Sequence, residues 1–160
     1  MAAAIAPLLI ALASFVLRLV NLGATKGYIF DEVYYVDGAR DLLKYGVEVS
    51  GSSPEFIVHP PVGKWLIGAG IALFGDNEFG WRFATALIGT LLILVFARLV
   101  HVLFYSPLLT ALGAALMALD GLLLVHSRTA LLDLFLTFFV LVGVLLWHRD
   151  RHWWAGLAFG

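Results

Sequence analysis

Three stretches of this chain, residues 2–17, 83–97 and 102–119, carry no charged side chain. Each approaches the roughly 20 apolar residues with which a helix crosses a bilayer. The pattern predicts spans over about 2–22, 79–100, 107–125 and 129–147, and the start of a fifth over 153–160. Between the first two lies a polar loop, residues 23–78, holding eight of the eleven acidic residues. A connection of that length and charge is expected to be a functional surface. Four crossings put this loop on one side and residues 98–106 and 148–152 on the other.

Two short helices are expected to lie along the membrane surface within the loop. In the first, Tyr35, Ala39, Leu42 and Leu43 recur at helical spacing, Asp37, Arg40, Asp41 and Lys44 take the other side, and Gly46 is the stop. The second follows Pro60-Pro61, proline suiting a first helical turn, and runs through Val62–Phe74 to Gly75. That apolar stretch is too short to span. Gly51-Ser52-Ser53-Pro54 reads as a turn or link between them. Asp76-Asn77-Glu78 supplies capping residues for the second span, Pro107 opens the third, and Ser127-Arg128-Thr129 opens the fourth. The first apolar run lacks a charged leader and extends to about Leu22, so it is expected to be retained rather than cleaved. The sequence stops as a fifth span begins, the pattern expected of the amino-terminal piece of a longer protein.

Composition turns these runs into a class. The chain is 62% hydrophobic and 13% charged, with a mean hydropathy of +0.97; soluble domains carry about 25% charged residues. This is the composition of an all-α polytopic membrane protein. A formal net charge of −1 offers no basic field to nucleic acid. With no cysteine, neither a disulfide framework nor a thiolate metal site can form.

The candidate chemistry gathers on the loop side. Arg18 lies at that end of the first span, Arg82 at the start of the second, and Arg128 at the start of the fourth. Asp120 and Asp133 share that side with Asp31, Glu32 and His59. Ionisable groups within a membrane are costly and are usually functional or paired, so the set describes a polar cavity roofed by the loop. Asp31-Glu32 suits the amino end of a helix, where acids meet the macrodipole; it equally suits a general base at the membrane surface. His59, fixed by Pro60-Pro61, either caps a rigid turn or faces a ligand. Lys64, one turn on, either snorkels or meets an anionic headgroup. Arg82 and Arg128 offer guanidinium forks for a lipid phosphate, or are ordinary interfacial arginines. Asp133 is about 140° round a helix from Arg128, so the two make no same-face pair and each needs a partner on another helix. Asp120, before Gly121, reads as a cap or terminator of the third span. Trp65, Trp81, Trp147, Trp153 and Trp154 are read as interface anchors.

Five motifs then occur in order: Phe30-Asp31-Glu32-Val33-Tyr34; Val58-His59-Pro60-Pro61-Val62-Gly63-Lys64-Trp65-Leu66; Phe79-Gly80-Trp81-Arg82-Phe83; Leu119-Asp120-Gly121; and Ser127-Arg128-Thr129-Ala130-Leu131-Leu132-Asp133. Together they resemble the amino-terminal part of the protein O-mannosyltransferases, in particular actinobacterial members, within the GT-C membrane glycosyltransferases. The resemblance covers essentially the whole chain. It implies a GT-C-type helical membrane fold whose first outer loop carries two surface helices. Asp31 matches the family's catalytic acid and Glu32 its neighbour; Arg82 matches an arginine linked to donor binding, and Arg18 one linked to assembly or structure.

The reaction so implied moves mannose from a polyprenyl- or dolichyl-phosphate-mannose donor to Ser or Thr hydroxyls of secreted or membrane proteins, at the extracytoplasmic face of the cell membrane. A phosphate leaves without a proton, so one of the two carboxylates of a glycosidase becomes dispensable. Asp31 is expected to act as base, and Arg82 with Arg128 to stabilise the departing phosphate; one direct displacement inverts the anomeric centre. His59, Lys64 and Asp133 complete the expected substrate-binding set. The scheme requires no cofactor, although Asp31, Glu32 and His59 could hold a divalent cation. Two rival readings are a related lipid-phosphate-sugar transferase acting on lipid or polysaccharide, and a non-catalytic membrane subunit or fragment.

Overall fold

A computed structural model of the protein describes residues 2–51, 53–54 and 59–160. Ser52 of the turn and Val58 of the His59 motif lie outside the described residues. Helices account for nearly all of the ordered structure: α1 (Ala2–Leu19), α2 (Glu32–Tyr45), α3 (Val62–Phe74), α4 (Glu78–Phe104), α5 (Pro107–Leu119), α6 (Gly121–His126), α7 (Asp133–Trp147) and α8 (His152–Phe159). Two short strands, β1 (Val49–Ser50) and β2 (Ser53–Pro54), pair antiparallel with Val49 opposite Pro54 and Ser50 opposite Ser53.

Local chemistry sets most of the boundaries. Gly46 ends α2 in the left-handed region (φ 75°), its N–H donating to the Leu42 carbonyl. The Asn77 side chain accepts from the Phe79 and Gly80 amides, both at 3.1 Å, and so starts α4. Ser106 does the same for α5 through Leu109, with Pro107 in the first turn. The apolar run expected to continue over 107–125 is broken: Asp120 leaves the helix with ψ 121° and caps a separate α6 by accepting from the Leu123 amide at 2.7 Å. The fourth apolar helix opens later than Ser127 predicts. Residues 127–132 form a turn, in which the Ser127 and Thr129 hydroxyls donate back to the carbonyls of Leu124 and Val125.

Among the described residues, α4 is the one helix long and apolar enough to cross a membrane; at 27 residues it is about 40 Å long. Ile5–Leu19, Val62–Phe74, Pro107–Leu119 and Asp133–Trp147 are apolar but shorter. α4 is also the axis of the fold, packing against α1, α3, α5 and α7. Where α1, α4 and α5 meet, the buried residues are Ala11, Ile93, Ala97, Ala114 and Ala118. Small side chains there let helix backbones come close. A larger cluster joins Val36 and Ala39 of α2 to Ile67 of α3, Leu92 of α4, and Leu134 and Phe135 of α7. The second cluster seats the loop helices α2 and α3 on the ends of α4 and α7, and the polar residues concentrate there.

Candidate active site

The loop is held by a buried ion pair. Arg82, in the second turn of α4, donates from Nε and Nη2 to the two oxygens of Glu32, both at 2.8 Å. Glu32 is 0% and Arg82 1% exposed. Arg82 also donates to the carbonyls of Leu22 (3.4 Å), Thr25 (2.8 Å) and Gly27 (2.9 Å), so all five of its N–H groups are used. Glu32 in turn accepts from the amides of Ile29 (2.8 Å) and Ala130 (2.7 Å). A fork-to-fork pair with every remaining donor and acceptor satisfied is the geometry in which buried charge is tolerated. Four parts of the chain are tied at this point: the start of the loop, α2, α4 and the turn before α7.

That arrangement bears on two expectations. Arg82 has no N–H left to direct at a phosphate, and Glu32 has no free oxygen for proton transfer or for a cation beside Asp31 and His59. Among the described residues no three His, Asp or Glu side chains converge as metal ligands.

Arg128 and Arg18 form a second cluster. Arg128 donates to the carbonyls of Leu17 (2.9 Å), Arg18 (3.0 Å) and Asn21 (3.5 Å), closing the carboxyl end of α1 where cations are favoured. Arg18 is fully buried; it donates to Ser127 Oγ at 2.8 Å and to the carbonyl and hydroxyl of Ser14. Neither arginine has a carboxylate partner among the described residues. Because residues 127–132 form a turn, the helical spacing of Arg128 and Asp133 does not apply; the partners Arg128 finds are carbonyl groups at the end of α1.

A cleft of about 490 Å³ opens beside this clamp, walled by α2, the chain just after it, His59 and the first turns of α3. Asp31, Tyr35, Asp41, Glu48, His59 and Lys64 line it, with Tyr34, Asp37, Gly38 and Val49. Of the expected site residues it therefore unites Asp31, His59 and Lys64, and leaves out Glu32, Arg18, Arg82 and Arg128. Asp133, the first residue of α7, does not line it, although burial, the charge of Asp31 and that of Asp133 together push the Tyr35 phenol up. The Tyr35 ring packs edge-on to the His59 imidazole, with centroids 5.5 Å apart.

The cleft's carboxylates divide by partner. Asp37 accepts from Arg40 at 2.6 Å, Asp41 from the Val49 amide at 3.1 Å, and Glu48 from the buried Lys64 ammonium. Asp31 precedes α2 without capping it by its side chain. Its carboxylate has no hydrogen-bond partner among the described residues, and it is half-buried.

Outside the cleft, Arg40 grips Asp76 with two 2.8 Å bonds and also donates to the Tyr28 hydroxyl at 2.6 Å. Its guanidinium lies over the Trp81 ring, which stacks on Tyr28 at 5.0 Å and donates to Asp76 at 2.6 Å. The Arg40 hydrogen bond, aided by the one from Trp81, holds the Asp76 carboxyl below the usual carboxylate range. Trp81 is therefore a buried strut rather than an interface anchor, whereas Trp65, Trp147, Trp153 and Trp154 are more than half exposed. Sequence reasoning missed Glu48 and the Arg40–Asp76 latch, because no local spacing links either pair.

A family model described as dolichyl-phosphate-mannose-protein mannosyltransferase matches residues 58–160. A polyprenol-phosphate-mannose–protein mannosyltransferase of Mycobacterium tuberculosis is 44% identical over 151 residues, covering 89% of this chain and 28% of that protein. One of the same name from Corynebacterium glutamicum is 36% identical over 129 residues, covering 77% of this chain and 25% of that protein. An undecaprenyl phosphate-alpha-4-amino-4-deoxy-L-arabinose arabinosyl transferase of Pseudomonas aeruginosa is 35% identical over 127 residues, covering 76% of this chain. No solved structure matches. The chain spans 28% of the length of the mycobacterial relative, and within that length most of it aligns. On the match over residues 58–160 and the identity to the actinobacterial proteins, the chain belongs to the dolichyl-phosphate-mannose–protein mannosyltransferase family.

Proposed function

We propose that this chain carries the acceptor-activating part of a multi-pass membrane glycosyltransferase of the GT-C type, which moves mannose from polyprenyl-phosphate-mannose to Ser or Thr hydroxyls at the extracytoplasmic face. One observation carries the reading: among the described residues that line the cleft, Asp37, Asp41 and Glu48 each accept a hydrogen bond, and Asp31 is the carboxylate that accepts none. Its carboxylate takes the proton of the acceptor hydroxyl. The hydroxyl oxygen attacks the anomeric carbon, the bond from that carbon to the phosphate oxygen breaks, and its electron pair leaves with the phosphate. The displacement inverts the anomeric centre. Lys64 and His59, the basic side chains in the cleft, are assigned to the phosphate in place of Arg82 and Arg128. The clamp of Glu32 and Arg82 holds Asp31 at the cleft, one residue before a fixed point.

The test uses membranes from cells expressing the protein, labelled polyprenyl-phosphate-mannose and a Ser/Thr-containing acceptor peptide. Asp31→Asn should abolish label transfer while the protein stays at wild-type level in the membrane. Near-normal transfer by that variant removes the assignment of Asp31 as base. The Pseudomonas relative, named for an arabinosyl transfer from a lipid phosphate, supports a second reading: the same chemistry with a lipid or polysaccharide acceptor. Label recovered in lipid rather than in peptide would select it.

A further inference from the structure

The ion pair of Glu48 and Lys64 is not accounted for by stability. Lys64 is 4% and Glu48 6% exposed. The pair lies under Gly38 of α2, where a side chain's Cβ would come within 2.9 Å of Glu48 Oε2 and 3.1 Å of Lys64 Cδ. Just beyond Glu48, the Val49 amide is fixed by Asp41. One oxygen of Glu48, Oε1, is buried without a hydrogen-bond partner among the described residues. A buried pair of well-packed apolar residues is commonly as stable as a buried ion pair, and a half-satisfied one is worse. The space cleared for this pair therefore calls for another reason, and the cleft it lines supplies one.

We propose that Glu48 is a positioning residue for donor binding: it holds the Lys64 side chain in place at the wall of the cleft, where it meets the lipid-borne phosphate. The inference rests on the mannosyl-transfer reading above. An ammonium forms three hydrogen bonds; Lys64 makes one, to Glu48, among the described residues, which leaves donors for a phosphate oxygen. Removing the counter-charge leaves a buried ammonium unpaired, a costly state that drives it out of position.

Three variants in expressed membranes test this: Glu48→Gln, Lys64→Met and the double Glu48→Met/Lys64→Met. Two readouts are taken, the KM and kcat for polyprenyl-phosphate-mannose and the binding of polyprenyl phosphate alone. Each single variant should raise the donor KM about tenfold, equivalent to about 1.4 kcal/mol, and weaken lipid-phosphate binding similarly. The Asp31→Asn variant should bind that lipid normally. The apolar double variant should recover wild-type abundance and thermal stability but keep the raised KM. If it recovers the KM as well, the pair is only structural and the proposal is overturned. A donor KM at or below the wild-type value in Glu48→Gln overturns it too. Failure of the wild-type protein to transfer mannose would instead sink the reaction assignment, while the binding readout would still judge Glu48.

Discussion

Glu32 and Arg82 meet through two 2.8 Å bonds across 50 residues of sequence, and neither is reached by solvent. Removing one partner leaves the other charged in a dry site, which costs about 3–5 kcal/mol. Glu32→Gln and Arg82→Gln should each lower the unfolding temperature in detergent and the amount of protein in the membrane. The double variant should be less destabilised than the sum of the two, which a double-mutant cycle measures. If either single variant loses transfer while keeping wild-type stability, the pair acts in the reaction itself and its placement as a clamp is wrong.

Gly38 gives a second prediction. A methyl group there reaches the Glu48 carboxylate and the Lys64 stem, and both are buried, so neither can swing into water. Gly38→Ala should crowd the pair in place and cost about 1–3 kcal/mol of overpacking. Gly38→Ala combined with Glu48→Asp, whose shorter side chain makes room, should regain part of that loss. Thermal unfolding of the two variants settles the point; equal stability of Gly38→Ala and wild type contradicts the packing described.

The latch between Arg40 and Asp76 should show in the pH dependence of stability. Asp76 titrates below its ordinary range when folded. Its contribution is therefore present above the unfolded carboxylate value, about 4, and is lost as pH falls through the lower folded value. Asp76 is half exposed, so the contribution stays under about 1 kcal/mol. At neutral pH, Asp76→Asn should melt slightly below wild type; the gap should close as pH falls below about 4. A gap that persists or widens in acid refutes the ionic account.

The local signals in the sequence are the ones the chain uses directly. Gly46 stops α2, Pro60-Pro61 precedes α3, and Asn77 caps α4, because each acts on backbone groups within a few residues. The break at Asp120 was less visible: a single acid in an apolar run caps or terminates equally well until its partner, the Leu123 amide, is known. The partners of Arg82 could not be read at all. Periodicity specifies which face of a helix is buried but not what it meets across 50 residues, and a guanidinium suited to phosphate is equally suited to carboxylate. For the same reason the sequence pointed to the region of the cleft, through Asp31, His59 and Lys64, yet overlooked Glu48. That residue matters only because the chain folds it back over Lys64.

Gly89 marks the place where α4 and the turn before α7 touch. A Cβ at this position would overlap the Ser127 side chain and come within 3.3 Å of Arg18 Nε. Ser127 is buried and holds two bonds at once, donating to the Leu124 carbonyl at 2.9 Å and accepting from Arg18 Nε at 2.8 Å. It cannot retreat without breaking one of them. Gly89→Ala should therefore cost about 1–3 kcal/mol and show as a lower unfolding temperature. Adding Ser127→Gly removes the overlapping atoms and should restore part of the loss. It should not restore all of it, because Arg18 Nε is then left buried without an acceptor, at a cost of at least about 1 kcal/mol. Full recovery in the double variant would mean that Arg18 does not depend on Ser127, and that the hydroxyl is there only to fill space.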